Sequence, residues 1–85
     1  MSTQEELNQL EVDKKVDARG TPCPGPLLEA KRAITSLPIG AVMEVLSADA
    51  STNKDIPRWA TKIGHEYLGT IEDAGYWRIF VKRGK

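Results

Sequence analysis

The chain has 85 residues, of which 40% are hydrophobic and 28% charged; this size allows one small domain and excludes two separate hydrophobic cores. Twelve basic side chains balance twelve acidic ones, so the basic excess of a dedicated nucleic-acid binder is missing. No apolar run approaches the roughly 20 residues of a membrane span. The single cysteine excludes an internal disulfide framework and a multi-cysteine zinc site. We therefore expect a cytoplasmic protein without membrane or direct nucleic-acid contact and without a metal or cofactor.

The first half of the chain predicts a tail, a strand, a helix and a strand. Residues 1–11 are polar, lack the pattern of a signal or transit peptide and are expected to be flexible, whereas residues 12–85 form a single domain. A strand is predicted at 12–17 and another at 41–47, and three alternating prolines interrupt the chain between residues 20 and 26. The apolar positions of the intervening helix have helical spacing: Leu27, Ala30, Ile34 and Leu37.

A second helix is predicted to start near Thr52. Thr52 and Asp55 have the spacing of a capping box, and Pro57 must lie in or near the first turn. Gly64 is a suitable residue to end this helix. Its apolar stripe is Ile56, Trp59, Ala60 and Ile63.

Two strands, at residues 66–72 and 76–82, complete the chain and are joined by a tight turn. The β-α-β-α-β-β order predicts an α+β fold, a two-layer α/β sandwich. Its four-stranded mixed sheet has a parallel first pair and an antiparallel last pair, with both helices on one face. On the other face, Tyr76 and Phe80 should be partly exposed, and Trp59 and Trp77 should belong to the core.

Cys23 is the residue with the clearest chemical potential. A lone cysteine is usually a small buried hydrophobe, but this one lies in a turn before a helix. Pro24 suits the first helical position, so Cys23 is the predicted N-cap, where the helix dipole would stabilise a thiolate. Pro24 and Pro26 remove two backbone donors, so this stabilisation should be moderate. Together with Pro22 and the small Gly25, they should give a rigid thiol that is accessible to a large partner.

A hydrolase built on this cysteine would also need a histidine base. The one histidine, His65, follows Gly64 at the predicted end of the second helix. A histidine there more often caps carbonyl groups or lies on the surface than takes part in catalysis. One cysteine and one histidine also argue against a metal site.

The run from Asp17 to Leu28 contains a Cys-Pro-x-Pro motif at residues 23–26 and resembles the signature of the TusA/SirA-like sulfur carrier family. Further matching blocks follow in order: Lys31, Leu37-Pro38-x-Gly40, Glu44–Leu46, Asp49, Asp55–Pro57, Gly64-His65 and the basic terminal segment. The resemblance covers about residues 12–84. It implies the β-α-β-α-β-β sandwich, similar to the C-terminal domain of translation initiation factor three.

The resemblance implies that Cys23 accepts a sulfane sulfur as a persulfide and relays it to an acceptor protein. The supporting motif residues are Pro22, Pro24, Gly25 and Pro26. A partner can supply the activating groups, so we expect a stoichiometric carrier and not a free-standing enzyme. The implied donor is a rhodanese or a cysteine desulfurase, and the implied acceptor is a DsrE-like or TusBCD-like protein. We expect a monomer.

Several pathways use such carriers. Gly25 stands where enterobacterial thiouridine carriers have an acidic residue, and Ala60 stands where some relatives have a second cysteine, which favours dissimilatory sulfur oxidation. Relay from a cysteine desulfurase to tRNA 2-thiouridine or to molybdenum-cofactor synthesis is the alternative. Two alternatives of other classes are a small thiosulfate sulfurtransferase and a regulatory or interaction module in which Cys23 is structural.

A basic rim is predicted beside the motif, where an acidic partner would associate faster. Its candidate partner-binding residues are Arg19, Lys31, Arg32, Arg58 and Lys62. Solvated helix faces are the competing interpretation of the same charges.

Overall fold

The computed structural model describes residues 12–20 and 25–85. The elements follow one another in the predicted order: β1 (Lys14–Asp17), α1 (Gly25–Ile34), β2 (Val42–Ser47), α2 (Thr52–Ile63), β3 (Glu66–Asp73) and β4 (Tyr76–Lys82). The segment predicted to be flexible, residues 1–11, lies outside the described residues. The predicted α+β class is confirmed.

The four strands form one mixed sheet in the order β1-β2-β4-β3. β1 runs parallel to β2, as expected for strands joined by a crossover helix. β4 pairs antiparallel with β2 on one side and with β3 on the other. The last strand of the chain therefore lies inside the sheet, and β1 and β3 form its edges.

Both helices cover the same face of the sheet and build the main core. Its fully buried members are Ala30, Met43, Val45, Ile56, Ala60, Ile79 and Val81. Trp59 and Trp77 pack against this core while remaining partly exposed, so the prediction that they belong to the core is confirmed only in part. α1 and α2 are thereby fixed side by side, with their outer surfaces available to solvent.

The other face of the sheet, on which no described helix packs, is also buried in part. Phe80 is 0% exposed, so the prediction that it is partly exposed is wrong. Ile71, Val12 and Leu68 pack around its ring, and the Arg78 guanidinium lies 5.4 Å from the ring centroid. Alternation along one strand shows which face a residue occupies but not what the neighbouring strands place over it. Tyr76 is partly exposed, as predicted.

Three elements are shorter than predicted. β1 begins two residues later and β2 one residue later, and α1 ends at Ile34 and does not reach Leu37. The hydroxyl groups of Thr35 and Ser36 donate to backbone carbonyls three residues earlier, which competes with continuation of the helix. Leu37 is still buried, but from a turn.

The two ends of α2 differ in how well they were predicted. The capping box is wrong, because Ser51 is the N-cap and makes no side-chain cap hydrogen bond. The hydroxyl of Thr52 instead lies 3.0 Å from the hydroxyl of Ser47, inside the protein. Pro57 lies in the second turn, next to its predicted position. Gly64 ends the helix as predicted, in a left-handed conformation with φ +104°.

Candidate functional site

The Cys-Pro-x-Pro motif leads into the N-terminus of α1. Pro22, Cys23 and Pro24 lie outside the described residues, so the N-cap position of Cys23 stays a prediction. Gly25 and Pro26 are the first residues of α1. The first turn of a helix has unpaired backbone donors and a partial positive charge, and this one contains no acidic residue. The start of α1 is therefore electrostatically suited to an anion.

Leu28 is an exposed apolar side chain in this first turn, with 52% of its surface open to solvent. A single exposed leucine is common on protein surfaces, but this one lies two residues after the motif. Sequence reasoning overlooked it. The available signal was an apolar residue that lies off the stripe of Leu27, Ala30 and Ile34.

Arg19, just before the motif, is held in place by neighbouring side chains. Its Nε and Nη2 atoms donate to the two carboxylate oxygens of Asp17 at 2.9 and 2.8 Å. Its guanidinium also lies 4.7 Å from the centroid of the Tyr76 ring. These hydrogen bonds from Arg19 lower the pKa of Asp17 to about 2. The charge of Arg19 is therefore already balanced by a partner within the chain.

Three of the five predicted rim residues meet in a groove between α1 and α2. Lys31, Arg58 and Lys62 line this interhelical groove of about 360 Å³. Its apolar part is formed by Leu27, Trp59 and Ile63, and Asp55 is its acidic member. Arg32 lies elsewhere, 3.6 Å from Glu29, beside Lys14 and Lys15. The basic rim is thus a groove with an apolar lining, from which Arg19 and Arg32 are separate.

His65 is 8% exposed, so the prediction that it caps carbonyls or lies on the surface is wrong. Its Nδ1 atom accepts a hydrogen bond from the backbone N–H of Gly84 at 3.0 Å. Its ring meets Trp59 edge-on, with 5.3 Å between the centroids. Burial lowers the pKa of His65 below its ordinary value of 6.5, and the charges of Arg83 and Lys85 lower it further.

The position of His65 does not suit a base acting at the motif. It lines a cavity with Ile34 and Thr35, at the end of α1 opposite the motif. A helix of ten residues is about 15 Å long. Within residues 12–20 and 25–85, no cluster of His, Cys, Asp and Glu could hold a metal ion. No helix in that part of the chain is both long and apolar enough to cross a membrane.

Comparison with known proteins gives consistent matches. A family model described as Sulfurtransferase TusA matches residues 14–83. A protein of Archaeoglobus fulgidus described as a candidate sulfur carrier protein is 50% identical over 70 residues, which cover 82% of this chain and 96% of that protein. Sulfur carrier protein TusA of Pseudomonas entomophila is 35% identical over 71 residues, covering 84% of this chain and 89% of that protein.

The crystal structure of a SirA-like protein from Desulfitobacterium hafniense has a TM-score of 0.69 with this chain at 29% identity. The match covers 85% of this chain and 99% of that one. The fold and the motif before α1 define a small SirA-like α+β protein. The chain belongs to the TusA family of sulfur carrier proteins. The family resemblance seen in the sequence is confirmed.

Proposed function

We propose that the protein carries sulfur as a persulfide on Cys23 and relays it from a donor protein to an acceptor protein. The observation that carries this proposal is the Cys-Pro-x-Pro motif leading into α1, whose first turn holds no acidic side chain. Residues 12–85 act as one carrier domain, and Pro22, Pro24, Gly25 and Pro26 shape the motif. The predicted monomer has no turnover of its own.

The proposed chemistry is an exchange between thiols. The Cys23 thiolate attacks the terminal sulfur of a donor persulfide, the donor S–S bond breaks, and the donor thiolate leaves. A new S–S bond forms on Cys23 without net oxidation, and the same exchange passes the sulfur to the acceptor. The persulfide is an anion that suits a helix N-terminus. No base is required from this chain, and the distant His65 agrees with that.

The protein partners meet the surface around the motif. Leu28 supplies exposed apolar area, and Lys31, Arg58 and Lys62 supply positive charge in the interhelical groove. A donor of the rhodanese or cysteine desulfurase class and an acceptor of the DsrE-like or TusBCD-like class would present complementary acidic surface. Because the chemistry needs a free thiol, the compartment is a reducing cytoplasm.

Among the pathways, dissimilatory sulfur oxidation is the one we propose. It is supported by Gly25 within the motif and by Ala60 in α2, both through family resemblance. Transfer of labelled sulfur from loaded protein to purified DsrE-like and TusBCD-like acceptors tests it. Preferred transfer to the DsrE-like acceptor supports sulfur oxidation, and preferred transfer to the TusBCD-like acceptor supports tRNA 2-thiouridine synthesis instead.

Intact-mass spectrometry after exposure to polysulfide tests the carrier function itself. Wild type should gain one sulfur atom and lose it to dithiothreitol, and Cys23→Ser should gain none. Equal urea-unfolding curves for the two proteins would show that the substitution removes chemistry and not structure. The proposal fails if wild type gains no sulfur while a thiol reagent labels Cys23 rapidly. A destabilised Cys23→Ser protein with normal sulfur flow would support the structural interpretation.

A further inference from the structure

A second cavity, the far cavity, extends the interhelical groove away from the motif. It has a volume of about 400 Å³ and lies at the C-terminal ends of α1 and α2. Lys31, Trp59 and Ile63 line both cavities, so the two are continuous. The groove therefore runs from Leu27 in the first turn of α1 to Thr35 just beyond its last turn.

This far cavity is positively charged. Its lining includes Lys31, Arg83 and Lys85, and none of the residues 12–20 and 25–85 places a carboxylate side chain in it. Arg83 also donates to the backbone carbonyls of Ile34 and Thr35 at the end of α1. Each helix C-terminus contributes roughly half a negative charge, and Nε of Arg83 donates to the main-chain oxygen of Lys85, so the positive charge left for a ligand comes mainly from Lys31 and Lys85. The cavity keeps a net attraction for an anion.

His65 adds a hydrogen-bond donor to the lining of the same cavity. Because Nδ1 accepts from the N–H of Gly84, the proton of the neutral ring is on Nε2. No described residue accepts a hydrogen bond from this Nε2–H group, and the group is open to solvent, since Oδ1 of Asn53 is the one buried side-chain polar atom without a partner among the described residues. His65 lines the cavity, so an oxygen anion held there by the lysines can accept from Nε2–H in place of water.

We propose that this cavity binds a carboxylate from an acidic segment of the protein that exchanges sulfur with Cys23. The carboxylate accepts from Nε2–H of His65 and pairs with Lys31 and Lys85, and the apolar part of the segment packs on Trp59 and Ile63. This inference rests on the proposed carrier function and names the chemistry of its partner. Charge complementarity along the groove selects an acidic peptide, since Asp55 is the one acidic residue among the described residues that line the two cavities.

The length of α1 sets the spacing within that segment. About 15 Å separate the two ends of the helix, and an extended chain covers about 3.3 Å per residue. The anchoring carboxylate should therefore lie four or five residues from the part of the partner that contacts Leu28. An anchor at this distance holds the partner without occupying the space beside the thiol.

Peptide titration by NMR tests the proposal on the full-length ¹⁵N-labelled protein. The probe is a short synthetic peptide of alternating Glu and Leu, blocked at both ends. We expect saturable shifts of the His65 ring, the Gly84 amide and the Trp59 indole, with a rise in the pKa of His65 on binding. Lys85→Ala should weaken binding about threefold, the size of an exposed ion pair, and adding Lys31→Ala should weaken it further. Lys54→Ala, an exposed lysine of α2 outside both cavities, is the matched control.

Three results would overturn the proposal. The first is the absence of saturable shifts, and the second is a loss of affinity in Lys54→Ala equal to that in Lys85→Ala. The third is shifts of the same size with sodium acetate at the peptide concentration, which would indicate a site for small anions. Polysulfide loading of Cys23, measured by mass on the same variants, separates this proposal from the carrier function. If Cys23 is loaded with sulfur but the peptide does not bind, only the proposed peptide site in the cavity is refuted. If wild type is not loaded, the proposed carrier function is refuted.

Discussion

The Nε atom of Arg78 in β4 donates a hydrogen bond to Oε2 of Glu44 in β2 at 2.5 Å. The Glu44 side chain is 3% exposed, and Nζ of Lys15 in β1 lies 4.0 Å from its other carboxylate oxygen. A carboxylate buried on the face without a described helix thus has cations on both neighbouring strands. A shift of β4 by one residue would turn Arg78 to the other face, so the pair also specifies the register.

Replacing Arg78 by alanine should lower the free energy of unfolding by about 3 kcal/mol, because it leaves a buried carboxylate without its main partner. Urea unfolding measures this loss. Adding Glu44→Gln to the same protein should restore part of it, since the uncompensated charge disappears. Lys15→Ala is the control and should cost less than about 1 kcal/mol, as its pair is largely exposed. Equal losses for Arg78→Ala and Lys15→Ala would contradict this account.

Phe80→Ala should lower the free energy of unfolding by about 3–4 kcal/mol, the usual result of removing a buried aromatic ring. Leu28→Ala removes an exposed apolar side chain and should change it by less than about 0.5 kcal/mol. Urea unfolding of both variants tests whether the face without a described helix contains a true core. Similar small losses in the two variants would show that it does not.

Stability should decrease as the pH is lowered from about 7 to 5 because of His65. Its pKa is lowered in the folded protein, so the unfolded chain binds the proton more readily. Protonation therefore stabilises the unfolded chain relative to the folded protein once the pH falls below the pKa of the histidine in the unfolded chain. His65→Gln should unfold with little pH dependence over this range. The lowered pKa of Asp17 acts in a different window, below about 4. An unchanged slope between pH 5 and 7 in His65→Gln would rule out the histidine as its source.

Gly64→Ala should have two effects, of which one is shared with Gly40→Ala. Both glycines have positive φ, +104° and +94°, so each substitution should cost about 1–2 kcal/mol of stability. Only at Gly64 would the new Cβ meet the Lys85 side chain, at 2.9 Å from Cε; at Gly40 nothing lies within 4 Å. The flexible lysine can swing away, which moves its charge in the far cavity. Gly64→Ala should therefore lower the affinity for the Glu-Leu peptide more than Gly40→Ala does. Equal affinities of the two variants would argue against Lys85 as a ligand of the peptide.

The groove lysines and arginine should speed association with an acidic partner. Arg58→Ala and Lys62→Ala should each slow sulfur transfer a few-fold at low ionic strength and have little effect at high salt. Arg32→Ala is the matched control, because Arg32 lies outside the groove and near Glu29. Rates are measured by mass spectrometry at donor concentrations below saturation. A slowing that is independent of salt would indicate a structural effect.

The order of the elements could be predicted because apolar spacing and the Pro and Gly breakers are local features. The positions of Pro38, Gly40 and Gly64 separated the elements correctly, since these residues restrict or permit backbone conformations whatever surrounds them. The position of Gly25 and Pro26 at the start of the first helix could be predicted for the same reason. The insertion of β4 between β2 and β3 could not, because strand order depends on contacts between distant segments.

His65 and Phe80 show where local reasoning ends. His65 packs against Trp59, and its ring accepts a hydrogen bond from the backbone N–H of Gly84, beyond β4. Phe80 is covered by Ile71 and Leu68 of the neighbouring strand β3 and by Val12. Gly84 is distant in sequence from His65, and Val12 is distant in sequence from Phe80. The far cavity could therefore not be predicted from the sequence, since its lining residues come from both helices and from segments distant along the chain, including the one after β4.

The interior position of the last strand has a consequence for synthesis of the protein. β2 and β3 each pair with β4 and not with one another. In a nascent chain ending before Tyr76, β2 is therefore paired with β1 alone, and β3 has no partner strand. Their unpaired edges are open to pairing with other chains during that interval. Closure of the sheet, and with it protection from aggregation, must wait until β4 has left the ribosome.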